Sequence, residues 1–563
     1  MRYLLLFLVF VLVAFALLWV TGRGASPAAP QGEPAEAGAM TYYIDAVNGD
    51  DGRDGRTEST AWKSLGRLLH APQTPGSRFL LRRGGLWREP LILDGSGTSE
   101  APIVVGAYGE GEAPSVRGSD AFDAPGHWRY EDGGVWFLGD IRRDPGTVFH
   151  DSKAATRRVS KDDLADPWDF WYDGATRRLY IRLDTNPAAM ADSIEVPVRD
   201  FVAGPLDTSH VRLEGVDFRH AIKTTMLIWE ADHVEIVGCT FTQTAGTHVQ
   251  IGQGSNFTRI QACSFDDWNL SHGRGYAIQA VEAGSGPSDV EECRFSATHR
   301  GGGEDHSAIR SDDKAWIRTV RGCRFQGGDG TLAGDGLSLW RPSGAAGSIA
   351  IEDNVFQGVG GRAIVLEELE YYGGAPAVSI ARNRIDGACL RDEVRHDAIQ
   401  VEKSPAGLAT VLVACNVVVG TFQGQHAHGG IGLQETRGVQ VVHNAVRGAD
   451  DGILVGFGAS MSHVANNLLI GNRGVGVHND TGDSSFLSNA YFENGAGPTR
   501  GVELMDSDVQ TDPMVDSNLR PQLGSPCIDA GSETGVVMDF DRKRRPAGMA
   551  PDIGPYEVSP DLP

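Results

Sequence analysis

IVGCTF at residues 236–241 decides the fold, because similar hexapeptides recur along the chain. The copies are LEGVDF (213–218), IVGCTF (236–241), IQACSF (260–265), VEECRF (290–295), VRGCRF (320–325), IEDNVF (351–356), IARNRI (380–385), VACNVV (413–418), VVHNAV (441–446), VANNLL (464–469) and LSNAYF (487–492). Successive copies begin 23 to 33 residues apart. Self-similarity at about 20–50 residues is typical of stacked repeat architectures.

Each copy alternates apolar and polar residues with period two, which predicts a short strand. Gly-rich turns and no helical stretch separate the copies, so we expect an all-β chain that folds as a right-handed parallel β-helix, a solenoid. The fourth position of the hexapeptide, called the ladder position, then stacks from coil to coil. It runs Val216, Cys239, Cys263, Cys293, Cys323, Asn354, Asn383, Asn416, Asn444, Asn467, Ala490. Stacked Asn amides can hydrogen-bond between coils, and Cys behaves there as a small apolar residue.

Composition narrows the classes of partner. The chain of 563 residues has 73 Gly and a net charge of -24, from 50 Lys plus Arg against 74 Asp plus Glu. This acidity argues against binding to nucleic acid or to an anionic membrane surface, and it is compatible with Ca²⁺, with neutral or basic glycans, or simply with solubility. Four of the seven Cys occupy the ladder position and the other three show no pairing pattern, so we expect no disulfide framework.

The N-terminal segment predicts export. Residues 4–20 are apolar, a length at the lower limit for crossing a bilayer and long for a signal-peptide core. Residues 1–22 are therefore expected to be a signal peptide or an uncleaved signal anchor. The Pro, Ala and Gly in 23–40 predict a linker, and the rest of the chain is expected in the periplasm, outside the cell, or anchored facing outward.

The regions around the repeats complete the predicted domain organisation. Residues 41–120 are expected to form an N-terminal cap and the first coils, with one short amphipathic helix at LGRLL (65–69). Residues 121–205 predict an inserted β subdomain, residues 206–495 the main β-helix, and residues 496–563 a C-terminal tail.

Several segments carry a resemblance to a known group. TYYIDAVNGDDG (41–52), FLLRRGGLWRE (79–89), APIVVGAYGEGEAP (101–114), GSPCIDAG (524–531) and DFDRKRRPAGMAPDIGPYE (539–557) resemble secreted right-handed parallel β-helix proteins of the pectin-lyase-like superfamily. That group includes polysaccharide lyases and β-helical glycoside hydrolases, and the resemblance implies an exported carbohydrate-active protein. The chain lacks the Asn-Thr-Asp, Gly-His-Gly and Arg-Ile-Lys signatures of β-helical polygalacturonases.

A second set of strands follows the hexapeptides and predicts the functional face. If its apolar residues point inward, the intervening residues form outward columns facing solvent. One column reads Gly252, Val281, Asp312, Trp340, Glu367, Glu402, Gln434, Gly456, His478. The column beside it reads Gln250, Gln279, Arg310, Ser338, Val365, Gln400, and the strand entrances hold Ser307, Asp335, Arg362, Asp397. Acids, arginines and a tryptophan concentrate in the middle coils.

Paired carboxylates in these columns predict acid/base chemistry. Glu367 and Glu402 would lie in neighbouring coils about 4.8 Å apart, close to the roughly 5–5.5 Å of a retaining glycosidase pair. Asp312, Asp335 and Asp397 are further catalytic candidates. Asp312 and Glu367, like Asp335 and Asp397, would lie two coils apart at roughly 9–10 Å, near the upper end of the range of carboxyl separations in inverting glycosidases. Trp340, Arg310 and Arg362 are expected to bind substrate.

Two alternatives stay open. A lyase acting on a uronate polymer would use Lys403 or His396 as base, helped by an arginine or Ca²⁺. A non-catalytic surface protein would bind glycan without turnover. Calcium is a possible cofactor at the pairs Asp50–Asp51, Asp312–Asp313 and Asp450–Asp451, whereas HAHGG (426–430) has too few partners to predict a zinc site.

Overall fold

Short strands stack coil upon coil in parallel register, which makes the chain the parallel β-helix predicted from its repeats. The computed structural model describes residues 39–271, 273–281, 286–297, 306–327, 332, 334–342, 347–369, 376–390, 396–420 and 429–559. These residues belong to one compact unit, 39–563. No helix within the described ranges is long and apolar enough to cross a membrane.

Three strand positions in each coil build three stacks, which we call sheets A, B and C. Sheet A contains Thr41–Ile44, Arg78–Arg82, Ile103–Tyr108, Arg259–Gln261, Ser288–Glu291, Ile317–Arg321, Ser348–Glu352, Ala377–Ala381, Thr410–Ala414, Gln440–Val442, His463–Ala465 and Ser485–Leu487. Sheet B contains Leu86–Trp87, Ser115–Arg117, Asp217–Arg219, Thr240–Thr242, Ser264–Asp266, Arg294–Ala297, Arg324–Gly327, Val355–Gln357, Arg384–Asp386, Val417–Val419, Ala445–Arg447, Leu468–Ile470 and Ala490–Phe492.

Sheet C carries the outward columns of the sequence analysis. It contains Leu91–Leu93, Thr247–Ile251, Gly275–Ala280, His306–Ser311, Asp335–Trp340, Ile364–Glu367, Ile399–Ser404, Ile431–Thr436, Ile453–Val455, Val475–Asn479 and Gly497–Arg500. Two long strands, Phe201–Glu214 and Thr224–Val237, run from sheet C into sheet A, so the two sheets are one hydrogen-bonded sheet of 25 strands.

A left-handed residue turns the chain from sheet A to sheet B immediately before the ladder position. These corner residues are Gly215, Gly238, Ala262, Glu292, Gly322, Asp353, Arg382, Cys415, His443, Asn466 and Ser488, with φ between 54° and 67°. For a residue other than glycine, this backbone conformation is less stable than the right-handed one by about 1–2 kcal/mol. Where the residue after the corner is asparagine, its side chain accepts a hydrogen bond from the backbone of the preceding coil.

The buried asparagines stack as predicted and bond from coil to coil. The Oδ1 of Asn416 accepts from the backbone N–H and the Nδ2 of Asn383, both at 3.0 Å. One prediction was off by a residue. The last member is Asn489 rather than Ala490, since Ala490 pairs with Leu468 and Asn489 accepts from Asn467. All seven cysteines are free and buried.

Aromatic stacking fills the core beside sheet B. Phe218, Phe241, Phe265, Phe295, Phe325 and Phe356 form a continuous stack with ring centroids 4.4 to 5.4 Å apart. All six are at most 1% exposed. The strong period-two signal of the hexapeptides comes from this apolar stack.

The predicted inserted subdomain forms two small sheets of its own. One contains Ser119–Ala121, Phe149–His150, Lys153–Ala154 and Ile194–Pro197; the other contains Arg129–Tyr130, Val135–Leu138, Thr156–Arg157, Asp169–Asp173 and Arg178–Arg182. The buried carboxylate of Glu195 joins them to the first coils by accepting from Arg88 and Arg117, both at 2.6 Å. The small sheets extend from Ser119 to Pro197, and residues 201–205 lie in the long strand Phe201–Glu214 of the β-helix.

Helical structure is limited to short 3₁₀ turns among the described residues. They are Glu58–Thr60, Leu65–His70, Pro125–His127, Lys161–Asp163 and Pro187–Ala189. The short amphipathic helix predicted at LGRLL is the 3₁₀ helix Leu65–His70, and its Leu65 and Leu68 are buried.

The C-terminal segment packs against the last coils. Leu519, Cys527, Ile553 and Tyr556 cover Val417, Ala445, Leu468 and Ala490 on the outer side of sheet B. A buried ion pair between Arg545 and Glu557 holds the segment together. Burial next to this pair raises the pKa of Asp552 to about 6.

Candidate active site

The register of sheet C brings together most of the predicted columns. Trp340 pairs with Glu367, Glu367 with Glu402, and Glu402 with Gln434. Gln250, Gln279, Arg310, Ser338, Val365 and Gln400 align in the neighbouring column as predicted. His478 was misplaced, because it pairs with Leu454 and so belongs to the second column. The error was two residues, a shift that leaves the side chain on the same face.

The columns do face outward, but part of this face is covered. Leu366 and Val401 point inward and are fully buried, as predicted. Ser338, Val365 and Gln400, expected to face solvent, are at most 4% exposed. Neighbouring side chains pack over them, as when the Nη1 of Arg310 donates to the Oγ of Ser338 at 2.6 Å. The middle coils therefore form a partly desolvated floor.

Glu367 and Glu402 form the centre of this floor. Their side chains are 21% and 14% exposed. Lys403 has a left-handed backbone (φ 55°), which turns its side chain toward the preceding coil. The Lys403 ammonium contacts Glu367 Oε1 and lies 3.8 Å from Glu402 Oε1. Glu402 Oε2 accepts a hydrogen bond from Gln400 Nε2 at 2.6 Å.

The two carboxylates have different electrostatic environments. Burial, and then the charge of Glu367, raise the pKa of Glu402, while Lys403, Arg362 and Gln400 oppose that rise. The hydrogen bond to Glu367 raises the pKa of Lys403, so this amine keeps its proton. One carboxyl thus has a raised pKa beside another that is ion-paired, and acid/base catalysis by two carboxyls requires such a difference between their environments.

Asp335 and Asp397 lie at the strand entrances, and each carboxylate accepts hydrogen bonds from a different neighbour. Arg362 binds Asp335 through two side-chain hydrogen bonds, Nε to Oδ1 at 3.1 Å and Nη2 to Oδ2 at 2.8 Å. Asp397 is 4% exposed and accepts from the Gly429 N–H at 2.7 Å. A Cβ at position 432 would come within 1.7 Å of Asp397 Oδ2, so Gly432 makes room for this carboxylate.

Asp312 is held by two neighbours. Arg310 Nε donates to its Oδ1 at 2.8 Å and Gln279 Nε2 to its Oδ2 at 2.7 Å. The arginines next to Trp340 also lie over its ring, with Arg341 Cζ 4.3 Å and Arg310 Cζ 5.8 Å from the centroid. A sugar stacking on Trp340 would share the ring with these cations.

The proposed metal ligands have protein partners. Asp51 accepts from the N–H groups of Lys63 and Ser64, Asp450 pairs with Arg473, and Asp451 lies 3.0 Å from His478. No group of three or more His, Cys, Asp or Glu in the described ranges is arranged to hold a metal ion. His396 lies beside Asp397 at a strand entrance. His426 and His428 lie outside the described residues.

Sequence reasoning missed the role of Gln400. It was placed correctly in the second column, but nothing in the pattern singled it out. The structure adds that Gln400 bonds Glu402 and that its own Oε1 is buried without a hydrogen-bond partner. A buried amide beside a paired carboxylate is the kind of group that orients a catalytic acid.

Comparison with known proteins shows the fold. No family model matches the chain, and no curated protein is similar to it in sequence. Among solved structures, the complex of XylC with xylose shares 13% identity, covering 92% of this chain and 98% of that one, with a TM-score of 0.58. A glycoside hydrolase (11% identity, 86% and 99% covered, TM-score 0.45) and pectate lyase Pel9A (12%, 92% and 96%, TM-score 0.33) are more distant. The chain is a parallel β-helix, and its likeness to the XylC structure lies in the fold.

Proposed function

We propose that this chain hydrolyses glycosidic bonds in a polysaccharide or oligosaccharide, with Glu402 as general acid/base and Glu367 as nucleophile. The observation that carries the proposal is the direct pairing of Glu367 with Glu402 in adjacent coils. Neighbouring coils lie about 4.8 Å apart, close to the roughly 5–5.5 Å that separates the carboxyl groups of retaining glycosidases.

The environments of the two carboxyls support this assignment of roles. Because its pKa is raised, Glu402 can hold a proton for the leaving group and later remove one from water. Glu367 contacts the Lys403 ammonium and is suited to attack as a carboxylate. Lys403 and Gln400 then act as positioning residues.

The lyase alternative is less well supported. A base must accept a proton, and the raised pKa of Lys403 opposes that. A uronate would also need a cation, whereas Arg310, Arg362 and Lys403 each already pair with a carboxylate. The geometry therefore favours a sugar without a carboxylate. The other alternative, a non-catalytic surface protein that binds glycan without turnover, is kept as an outcome of the test.

The test is a screen of residues 39–563 against neutral glycans and uronate polymers, with reducing ends and near-ultraviolet absorbance measured together. We expect new reducing ends without the absorbance of an unsaturated uronate. Glu402→Gln and Glu367→Gln should each lower kcat by at least about 10²-fold. The matched control is Glu435→Gln, an exposed glutamate one coil further along, which should retain full activity.

Three results would change the proposal. Absorbance on uronate polymers would make the chain a lyase, and its loss with a chelator would support calcium. Binding without turnover, unaffected by Glu367→Gln, would indicate a surface protein. Export through residues 1–22 is a further part of the proposal, tested by fractionating cells that express the full chain.

A further inference from the structure

A second tryptophan stands in the same outward column as the catalytic candidates. Ile228 pairs with Ile251, so the next residues, Trp229 and Gly252, lie side by side in adjacent coils. Ile228 and Ile251 are fully buried, which places Trp229 on the outer side of sheet C. Its side chain is partly exposed.

The ring of Trp229 lies across Gly252. A Cβ at position 252 would come within 2.3 Å of Cε3 and 2.6 Å of Cζ3 of this ring. No side chain larger than glycine fits beneath the indole as it lies. Glycine at this position thus allows the indole to lie over the neighbouring coil.

The column links this tryptophan to the carboxylate pair. Gly252, Val281, Asp312, Trp340 and Glu367 follow one another through successive registers of sheet C. Four coil spacings separate Gly252 from Glu367, which is about 19 Å. One coil is close to the length of one sugar unit in an extended glycan, so a chain along the helix axis would place about one unit on each coil.

We propose that Trp229, lying over Gly252, is a distal sugar-binding platform that gives the enzyme a preference for long glycan chains. The apolar face of a pyranose stacks on aromatic rings, and indole offers the largest such surface. A chain of about five units would reach from Glu367 to this platform. The inference rests on the proposed function for its reacting end, while the platform itself is a binding site.

Gly252→Ala tests the platform without removing the tryptophan, because the added methyl group must displace the ring. The matched control is Gly456→Ala, in the same column on the other side of Glu402. A Cβ there meets only ordinary contacts, with Leu433 O at 3.4 Å and Leu454 Cγ at 3.5 Å. Trp229→Ala is the second variant, and unfolding temperatures of all three check that they fold.

The probes are xylan, glucan and mannan oligosaccharides, short (two or three units) and long (seven or eight units). Turnover is measured on the wild-type background, and binding is measured separately on the Glu402→Gln background. We expect Gly252→Ala and Trp229→Ala to lower kcat/KM and affinity for a long chain by about tenfold, with short chains and Gly456→Ala unchanged.

The outcomes separate the two proposals. Selective loss of long-chain binding in a protein that cleaves nothing would keep the platform and reject the hydrolase. Equal losses on short and long chains, or none in either platform variant, would overturn the platform and leave the hydrolase standing. A wild-type chain that neither binds nor cleaves any probe would overturn both.

Discussion

The asparagine ladder allows a stability prediction whose magnitude follows from the hydrogen bonds. Asn416 is fully buried, and its side chain makes four bonds. Its Oδ1 accepts from the N–H and Nδ2 of Asn383, and its Nδ2 donates to Ile380 O at 2.8 Å and Asn444 Oδ1 at 3.0 Å. Asn416→Ala removes all four at once.

The cost depends on which groups find another partner. Asn383 Nδ2 keeps its bond to Ile351 O, and Asn444 Oδ1 keeps the backbone N–H of residue 416. The N–H of Asn383 and the carbonyl of Ile380 lose their ladder partner. A buried polar group without a partner costs about 1–3 kcal/mol, so we expect Asn416→Ala to lower the free energy of unfolding by about 4 kcal/mol.

Cys293→Ala is the control at the same position of another coil. Its thiol lies 3.2 Å from Glu291 O and 3.6 Å from Ile260 O, so its hydrogen bonds are weak. Cys293→Ala removes these bonds and one small buried group, and we expect it to lower the free energy of unfolding by about 1 kcal/mol. Urea unfolding followed by circular dichroism measures both variants, compared at equal m-values. If Asn416→Ala costs no more than Cys293→Ala, the ladder bonds do not stabilise the fold as we argue.

Three further predictions concern charge. Lys403→Met removes a cation that lowers the pKa of Glu402, so the alkaline limb of the kcat/KM profile should move to higher pH; an unmoved limb would contradict the acid role. Arg362→Met should destabilise the chain by about 2 kcal/mol in thermal unfolding, because it leaves the Asp335 carboxylate without its ion-pair partner. Adding Asp335→Leu should restore most of the lost stability. If the two substitutions instead destabilise the chain additively, the ion pair is not the cause. Asp552 has a raised pKa in the folded chain, so the stability it contributes is complete below about pH 4 and is lost as the pH rises through about 6. Asp552→Asn should abolish this decline in stability in denaturant titrations from pH 4 to 7. An unchanged dependence of stability on pH would refute the assignment.

The fold could be predicted from the sequence because the ladder position recurs in step with the apolar residues of the hexapeptide and holds a chemically distinctive residue. Cysteine or asparagine at that position, followed two residues later by an apolar side chain, sets the coil register independently of loop length. The last copy was misaligned because Ser488 and Asn489 both suit a turn. Period two alone does not distinguish neighbouring turn residues.

The site was predictable in its columns but not in its contacts. Register placed Glu367 beside Glu402, whereas the sequence gives no sign that Lys403 turns back to Glu367. That contact depends on a left-handed backbone, which a lysine rarely adopts. The fit of Trp229 over Gly252 was missed for a related reason, since it depends on the absence of a side chain.

The constant corner between sheets A and B has a consequence for how such a chain can evolve. Two residues, one left-handed and one from the ladder, make that corner in coil after coil, and an insertion there would break the asparagine bonds. The repeats nevertheless differ in length by up to ten residues, from 23 to 33. Nearly all of that variation falls in the segments that enter and leave sheet C. New loops can therefore arise beside the columns of Glu367 and Glu402 without cost to the scaffold, so substrate preference can diverge while the fold stays constant.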